Sequence, residues 1–167
     1  MIKIYIIGSV GSGKTTLAKR LSKELNIPHI ELDNITWERI PNQHDRKRSH
    51  EEIEPLFNEI LKEDNWVMEN VGKSVYDRNY DEADTIIYLK LPRIVLYKQI
   101  LMRWVRQKQG KEPSAYPPDF KMLRQMFIWA NKEMNNSKLN KLGPYKYKVL
   151  VLDHKKARTY KYERKRN

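Results

Sequence analysis

Cysteine is absent from this chain of 167 residues, and only six residues are glycine. The absence of cysteine excludes disulfide bonds and metal sites built on thiolates. No apolar run approaches the roughly 18 residues of a membrane-spanning helix, and the apolar start MIKIYIIG is too short for a secretory signal. We therefore expect a cytoplasmic protein that does not enter a membrane, folded as one domain over residues 1–167.

Three of the six glycines lie in the segment GSVGSGKT, residues 8–15. This segment fits the pattern G-x-x-x-x-G-K-S/T, in which backbone N–H groups surround phosphate oxygens and side chains would block the approach. The predicted phosphate-binding residues are Gly8, Ser9, Gly11, Ser12, Gly13, Lys14, Thr15 and Thr16. Lys14 is expected to reach the β- and γ-phosphates and to act in catalysis, while the Thr15 hydroxyl binds Mg²⁺. The predicted cofactors are therefore ATP and Mg²⁺.

Apolar runs alternate with helical patterns along the chain. Strands are predicted at 4–7, 29–32, 66–69, 84–89 and 148–153. Helices are predicted after the glycine-rich segment, after the capping box of residues 49–52, from Pro92 to Gly110, and from about Phe120 to Asn136 or beyond. Alternating strands and helices predict a three-layer α/β/α fold with a five-stranded parallel sheet.

Three predicted strands end in a carboxylate, at Asp33, Glu69 and Asp153. The apolar run before Asp153 is typical of the metal-binding acid of phosphate-loop enzymes. In small kinases built on this loop, however, the strand order is 2-3-1-4-5, so the third strand lies beside the first and the fifth lies at the edge. We therefore predict that Glu69 joins Thr15 at the metal, that Asp33 faces the phosphoryl acceptor, and that Asp153 begins a loop near the adenine. The alternatives are a helix or turn cap for Asp33 and a surface or salt-bridged acid for Glu69.

Several residues after the glycine-rich segment resemble the DNA topology modulation (FlaR-type) proteins, which are related to adenylate kinase. The matching positions are Asp33, Trp37, Trp66, Glu69, Arg78, residues 83–84 and residues 91–93. The resemblance covers about residues 1–135 and implies a nucleotide-kinase fold, with acceptor contacts from Asp33, Trp37 and Arg78. Core packing is the alternative for Trp37. One departure is Glu69-Asn70-Val71, where the family usually has Asp-Gly-Asn.

The excess positive charge lies in the C-terminal part of the chain. Residues 1–100 hold 15 Lys and Arg against 16 Asp and Glu, whereas residues 101–167 hold 18 against 5. In enzymes similar to adenylate kinase, arginines on a helical lid neutralise the transferring phosphoryl group. By this resemblance the lid spans about residues 103–124, with Arg103 and Arg106 as catalytic residues and Arg124 as a substrate contact. The alternative is a solvated helix face.

Two functions follow from these patterns. The first is an ATP-dependent kinase of the nucleotide-kinase type, which moves the γ-phosphate to a nucleoside, a nucleotide or a similar small acceptor. The alternative is a nucleic-acid-associated ATPase or polynucleotide end kinase, because residues 155–167 hold seven basic residues and one acid. The four histidines show no metal-ligand spacing and receive no role.

Overall fold

A computed structural model describes residues 1–40, 45–112, 117–133 and 140–163 of the chain. Seven strands lie in these ranges, and five of them form the main sheet. The strands are β1 (Ile2–Gly8), β2 (His29–Glu31), β3 (Trp37–Glu38), β4 (Arg46–Lys47), β5 (Asn65–Asn70), β6 (Thr85–Leu89) and β7 (Val149–Leu152). The helices are α1 (Lys14–Leu25), α2 (Leu32–Thr36), α3 (His50–Leu61), α4 (Asn79–Glu82), α5 (Arg93–Lys108), α6 (Phe120–Glu133) and α7 (His154–Thr159).

The main sheet is parallel throughout, with the order β2-β5-β1-β6-β7. Counted among these five strands alone, the order is 2-3-1-4-5, as the sequence predicts. The prediction was wrong in two local features. The second strand ends at Glu31 rather than continuing to Leu32, because α2 begins there, and the short antiparallel pair of β3 and β4 was not predicted.

Both faces of the sheet are covered, because successive side chains of each strand point to opposite sides. Ile4 and Ile6 pack with Leu17 and Leu21 of α1 and with residues of α5 and α7. Tyr5 and Ile7 pack on the other face with residues of α2, α3 and α4. The three-layer α/β/α architecture is thereby confirmed.

A third apolar cluster joins the helices α5 and α6 outside the sheet. Its buried members are Ile100, Trp104, Met126 and Ala130, with Val10 packed against them. On α5 the buried residues recur four apart as Leu96, Ile100 and Trp104, while Leu101 and Val105 are exposed. Because Val10 precedes Gly11, this cluster places the two helices against the glycine-rich segment.

Local signals in the sequence mark several helix boundaries. Ser49 caps α3 and Glu52 completes the predicted capping box, while Pro92 lies directly before the first residue of α5. The predicted extension of α6 to Asn136 lies outside the described residues. Within the described ranges, no helix has the length and apolar character that a membrane span requires.

Candidate functional site

The segment between β1 and α1, residues 8–15, is called the phosphate loop here. Gly11 and Gly13 have φ angles of 76° and 87°, in the left-handed region that glycine adopts at low cost. Gly13 precedes α1 without a side-chain cap, so N–H groups of the first helical turn point out of the helix end. N–H groups at a helix start and the helix dipole favour an anion at this position.

The phosphate loop is shaped by close contacts with the fold around it. A Cβ atom on Gly11 would lie 2.8 Å from Ile100 Cγ1, and one on Gly8 would lie 2.7 Å from Ser12 Oγ. The Ser12 hydroxyl is buried and has no hydrogen-bond partner among the described residues. Lys14 Nζ donates to the Ser9 carbonyl oxygen at 3.0 Å. The loop therefore combines glycine backbone without side chains, a buried hydroxyl that has no partner among the described residues, and a lysine within residues 8–15.

Substitution of Gly11 by alanine is expected to destabilise the protein more than the same change at Gly110. Both residues have a positive φ, but a Cβ at Gly110 meets no atom of the described residues within 4 Å, whereas one at Gly11 meets Ile100. The left-handed conformation costs alanine roughly 1–2 kcal/mol at either position, and the contact with Ile100 adds to this cost only at Gly11. Urea unfolding of both variants measures the difference. Equal losses of stability would show that Ile100 does not constrain the loop.

Asp33 and the phosphate loop lie at the same edge of the sheet, because they follow the carboxyl ends of the parallel strands β2 and β1. It sits in the first turn of α2, and its side chain is 57% exposed. Its Oδ1 atom accepts a hydrogen bond from Lys73 Nζ at 2.7 Å. Lys73, which lies 40 residues further along the chain, was not predicted from the sequence.

The loop after β5 holds Lys73 in place through Asn70. The Asn70 Oδ1 atom accepts hydrogen bonds from the backbone N–H groups of Gly72 and Lys73, each at 2.9 Å. Beneath Asp33, the Thr36 and Tyr76 hydroxyls are 2.9 Å apart, and Tyr76 donates to the Leu32 carbonyl oxygen. Burial raises the pKa of Tyr76, so this phenol stays protonated and keeps its hydrogen bonds. These hydrogen bonds therefore fix the backbone and the side chains next to the Asp33–Lys73 pair.

Glu69 lies in β5, directly beside β1, but its neighbours differ from those predicted. Its side chain is 7% exposed, and its Oε1 atom lies 3.8 Å from His29 Nε2. One ligand atom from each of His29, Glu31 and Glu69 lies within 4.8 Å of the others. Among the described residues, no hydrogen bond or ion pair joins Glu69 to Thr15. The role of Glu69 beside Thr15 at the metal stays a prediction.

The predicted lid arginines are exposed and share one acidic partner. Arg103 Nε lies 3.3 Å from Glu112 Oε1, and Arg106 Nε lies 2.9 Å from Glu112 Oε2. Arg124 is exposed on α6 and makes no ion pair within the described ranges. Trp104 Nε1 donates to the Asp119 carbonyl oxygen at 3.0 Å, which ties the end of α5 to the start of α6. Residues 113–116 of the predicted lid lie outside the described residues.

The remaining predicted site residues lie in different surroundings. Trp37 is half-buried in β3, and its backbone N–H donates to the Asp33 carbonyl oxygen. Arg78 is exposed and donates to the Asn58 side chain on α3, not to Asp33. Asp153 caps α7 by accepting hydrogen bonds from the N–H groups of Lys155 and Lys156, which lower the pKa of its carboxyl.

The sequence contains signals for the three site residues that were not predicted, which are His29, Glu31 and Lys73. His29 and Glu31 are two apart on a strand, so they share a face. Lys73 follows Gly72, the first glycine after the predicted third strand, where the chain must turn. Their partners lie about 40 positions away, so the spacing of nearby residues did not indicate the contacts.

Comparison with known proteins identifies relatives of this chain. Shikimate kinase of Bacteroides fragilis is 42% identical over 59 residues, which cover 35% of this chain and 28% of that protein. The match thus spans about a quarter of the length of that relative.

Two solved structures have the same fold. A gluconokinase from Sinorhizobium meliloti 1021 has a TM-score of 0.54 and 14% identity, covering 91% of this chain and 82% of that one. A shikimate kinase from Bacteroides thetaiotaomicron has a TM-score of 0.53 and 18% identity, covering 90% and 84%. At these identities the likeness shows the fold alone.

A family model described as an AAA domain matches residues 4–115. The matched region runs from β1 through the phosphate loop, Asp33, Glu69 and α5. It makes up most of the chain and contains the strands that carry the candidate site, so the chain belongs to the AAA domain family.

Proposed function

We propose that this protein is an ATP-dependent phosphotransferase that moves the γ-phosphate to a hydroxyl group of a small acceptor. The observation that supports the proposal is that the phosphate loop and the Asp33–Lys73 pair both follow the carboxyl ends of neighbouring parallel strands, at one edge of the sheet. Ligands of open α/β sheets bind at this edge. The kinase names of the relatives support the same reaction class.

The residues of the phosphate loop fit ATP with Mg²⁺. A side chain at Gly11 would fill the turn, and the buried Ser12 hydroxyl lacks a partner within the described ranges. Lys14 would exchange the Ser9 carbonyl oxygen for phosphate oxygens, and the Thr15 hydroxyl would bind the ion. When bound, Mg²⁺ neutralises charge on the β- and γ-phosphates. Besides Thr15, Glu69 would contact this ion through a water molecule.

Asp33 has the role of base and orienting group on the acceptor side. Its carboxylate is more than half exposed, so a hydroxyl group can replace Lys73 as its partner. As the acceptor oxygen attacks the γ-phosphorus, the bond from that phosphorus to the β–γ bridging oxygen breaks and Asp33 takes the hydroxyl proton. The products are ADP and a phosphate ester.

The lid arginines complete the proposed site. Arg103 and Arg106 would leave Glu112 and meet the transferring phosphoryl group when α5 and α6 close over the bound substrates. Arg124 on α6 would contact substrate from the opposite side. Trp37 is proposed to pack beside the acceptor, because its backbone is bonded to Asp33. Arg78 would also contact the acceptor, for which it would have to break its hydrogen bond with the Asn58 side chain. Relationship to the FlaR-type proteins is part of this proposal.

The alternative function on nucleic acid has one supporting observation. Arg20 of α1 donates to the backbone carbonyl oxygens of Ala157 and Tyr160, which docks the C-terminal segment through its main chain. The side chains of Lys155, Lys156 and Arg158 consequently stay exposed. An exposed basic strip of this kind suits a phosphate backbone.

A screen of ADP formation against candidate acceptors tests the proposal. The panel contains nucleosides, nucleotides, small hydroxy acids including shikimate and gluconate, and oligonucleotides with a free 5′ hydroxyl. We expect one small-molecule class to raise ADP formation well above the rate with ATP alone. Stimulation by oligonucleotides only would favour the alternative function.

Asp33→Asn is expected to lower the rate of phosphoryl transfer by about 10²- to 10⁴-fold while changing ATP affinity little. Loss of a general base is felt mainly in the transition state, and Asp33 makes no contact with the phosphate loop among the described residues. The matched control is Asp77→Asn, because the Asp77 side chain is partly exposed, at 43%, and is likewise paired with a lysine, Lys141, at 2.8 Å. Steady-state kinetics and nucleotide titration of both variants measure the effect. A collapse of ATP affinity in Asp33→Asn would assign this acid to the metal instead.

A further inference from the structure

Asn70, the last residue of β5, lies on the face of the sheet that is covered by α2. Side chains along a strand alternate between the two faces, so Asn70 points to the same side as Met68 and to the side opposite Glu69. Met68 belongs to the apolar cluster that includes residues of α2, the helix that contains Asp33. Asn70 is also in register with Ile7, which directly precedes the phosphate loop. Asn70 therefore lies at the sheet edge shared by Asp33 and the phosphate loop.

The side-chain amide of Asn70 has a fixed orientation and an unused donor. Its Oδ1 atom accepts hydrogen bonds from the backbone N–H groups of Gly72 and Lys73. The reverse orientation would place the amide NH2 group against two other donors, so this network assigns the nitrogen. Asn70 is 2% exposed, and its buried Nδ2 atom has no hydrogen-bond partner among the described residues. A buried donor without a partner is costly, so binding of a ligand oxygen there would be favourable.

Lys73 connects this donor to the proposed base. Its backbone N–H group is bonded to the Asn70 side chain, and its Nζ atom reaches Asp33 Oδ1 at 2.7 Å. The Lys73 side chain therefore runs from the amide of Asn70 to the carboxylate of Asp33. When an acceptor hydroxyl replaces Lys73 as the partner of Asp33, this side chain has to move. Its movement would open a path between Asp33 and the Asn70 amide.

We infer that Asn70 is a specificity-determining residue, whose Nδ2 atom donates a hydrogen bond to a second oxygen of the acceptor. This inference rests on the proposed function and deepens it, because it requires an acceptor with an oxygen atom besides the hydroxyl group that meets Asp33. Polyhydroxylated compounds and hydroxy acids meet this requirement, and simple alcohols do not. A site that hydrogen-bonds a substrate oxygen discriminates strongly against analogues that lack it. The FlaR-type sequences usually have glycine at this position, so the donor is not part of that pattern.

Asn70→Asp removes the donor and keeps an oxygen for the backbone N–H groups of Gly72 and Lys73. We expect kcat/KM for the acceptor identified by the screen to fall by about 10- to 100-fold, while ATP affinity changes little. The matched control is Asn79→Asp, because Asn79 also has a buried amide without a partner among the described residues, but it lies on α4. It should keep the wild-type kcat/KM. If the Asn70 side chain serves only to hold the turn, Asn70→Asp should also keep it, and the inference would be wrong.

Nuclear magnetic resonance of isotopically labelled wild-type protein tests binding without turnover. The Asn70 NH2 signals are assigned by their absence from the spectrum of Asn70→Asp. The protein receives Mg²⁺ with the non-hydrolysable ATP analogue AMP-PNP, and then each compound of the screening panel in turn. We expect one Asn70 amide proton to shift downfield, as on formation of a hydrogen bond, with a polyhydroxylated compound or hydroxy acid and not with AMP-PNP alone.

Two results of this titration would overturn the inference. A downfield shift with AMP-PNP alone would assign the Asn70 donor to the nucleotide, and no such shift with any compound of the panel would show that the donor does not meet an acceptor. The titration is also independent of phosphoryl transfer. A shift with a hydroxylated compound, together with no phosphate ester in any reaction, would support the Asn70 contact and contradict the proposed function.

Discussion

Lys14→Ala is expected to abolish ATP turnover and to weaken nucleotide binding. In the structure Lys14 Nζ donates to the Ser9 carbonyl oxygen within the phosphate loop. Under the proposed function it would contact the β- and γ-phosphates instead. Removal of a positioned charge in such a site costs several kcal/mol, so turnover should fall by at least about 10²- to 10³-fold. Initial rates of ADP formation and titration with a fluorescent nucleotide measure the two effects.

The matched control is Lys23→Ala, which removes an exposed lysine from the last turn of the same helix. It should retain both turnover and affinity. Circular dichroism establishes that the Lys14 variant is folded. A folded Lys14→Ala protein with unchanged turnover would contradict the assignment of the phosphate loop.

The double variant Arg103→Ala with Arg106→Ala should lower phosphoryl transfer by several orders of magnitude. Arginines placed on a transferring phosphoryl group contribute up to about 10³- to 10⁵-fold in related chemistry. Stability should change little, because both side chains are nearly half exposed and their ion pairs with Glu112 lie at the surface. Single-turnover measurements with ATP and the acceptor identified by the screen quantify the loss.

Glu112→Gln is the informative control for this pair. It removes the acidic partner and keeps both arginines, so transfer should be retained if the arginines act on the phosphoryl group. If the arginines serve only to bind Glu112 and close the end of α5, Glu112→Gln should reproduce the loss. Equal defects in the two variants would therefore contradict the catalytic role.

The nucleic-acid alternative is tested with substitutions that remove positive charge from the C-terminal segment, rather than with deletion of that segment. Tyr160 and Tyr162 pack against the core beside α1, so deletion of the tail would remove packing as well as charge. Lys155→Gln with Lys156→Gln removes charge alone and keeps the main-chain hydrogen bonds to Asp153. Under the phosphotransferase proposal this variant keeps full activity. If it loses a strongly salt-dependent affinity for DNA or RNA, while Arg103→Ala with Arg106→Ala stays fully active, the alternative is favoured.

The phosphate loop and the positions of the main strands could be predicted because their signals are local and strong, whereas the order of the strands was inferred from small kinases built on this loop. A buried apolar run, three glycines and a lysine at fixed spacing specify a strand, a turn and a helix start within 15 residues. Alternation of strands with helices then restricts the sheet to a parallel arrangement. The capping box of α3 was equally direct, because Ser49 and Glu52 bond each other's backbone.

The surroundings of the acids could not be predicted in the same way. Asp33 meets Lys73, and Glu69 meets His29, only after β2 and β5 pair in one register. A shift of that register by one residue would turn Glu69 to the opposite face of the sheet. The partner of Arg78 could not be predicted for a similar reason. Arg78 binds Asn58 on α3, and the residues around Arg78 in the sequence do not indicate that it lies beside this helix.

Phosphorus-31 nuclear magnetic resonance of the reaction mixture tests the central claim most directly. The wild type, incubated with ATP, Mg²⁺ and the acceptor identified by the screen, should produce a phosphate monoester signal that grows in equal amounts with ADP, and Lys14→Ala should produce none. ADP accompanied only by free inorganic phosphate, with no ester of any small acceptor, would contradict the claim that this protein transfers the γ-phosphate to a hydroxyl group.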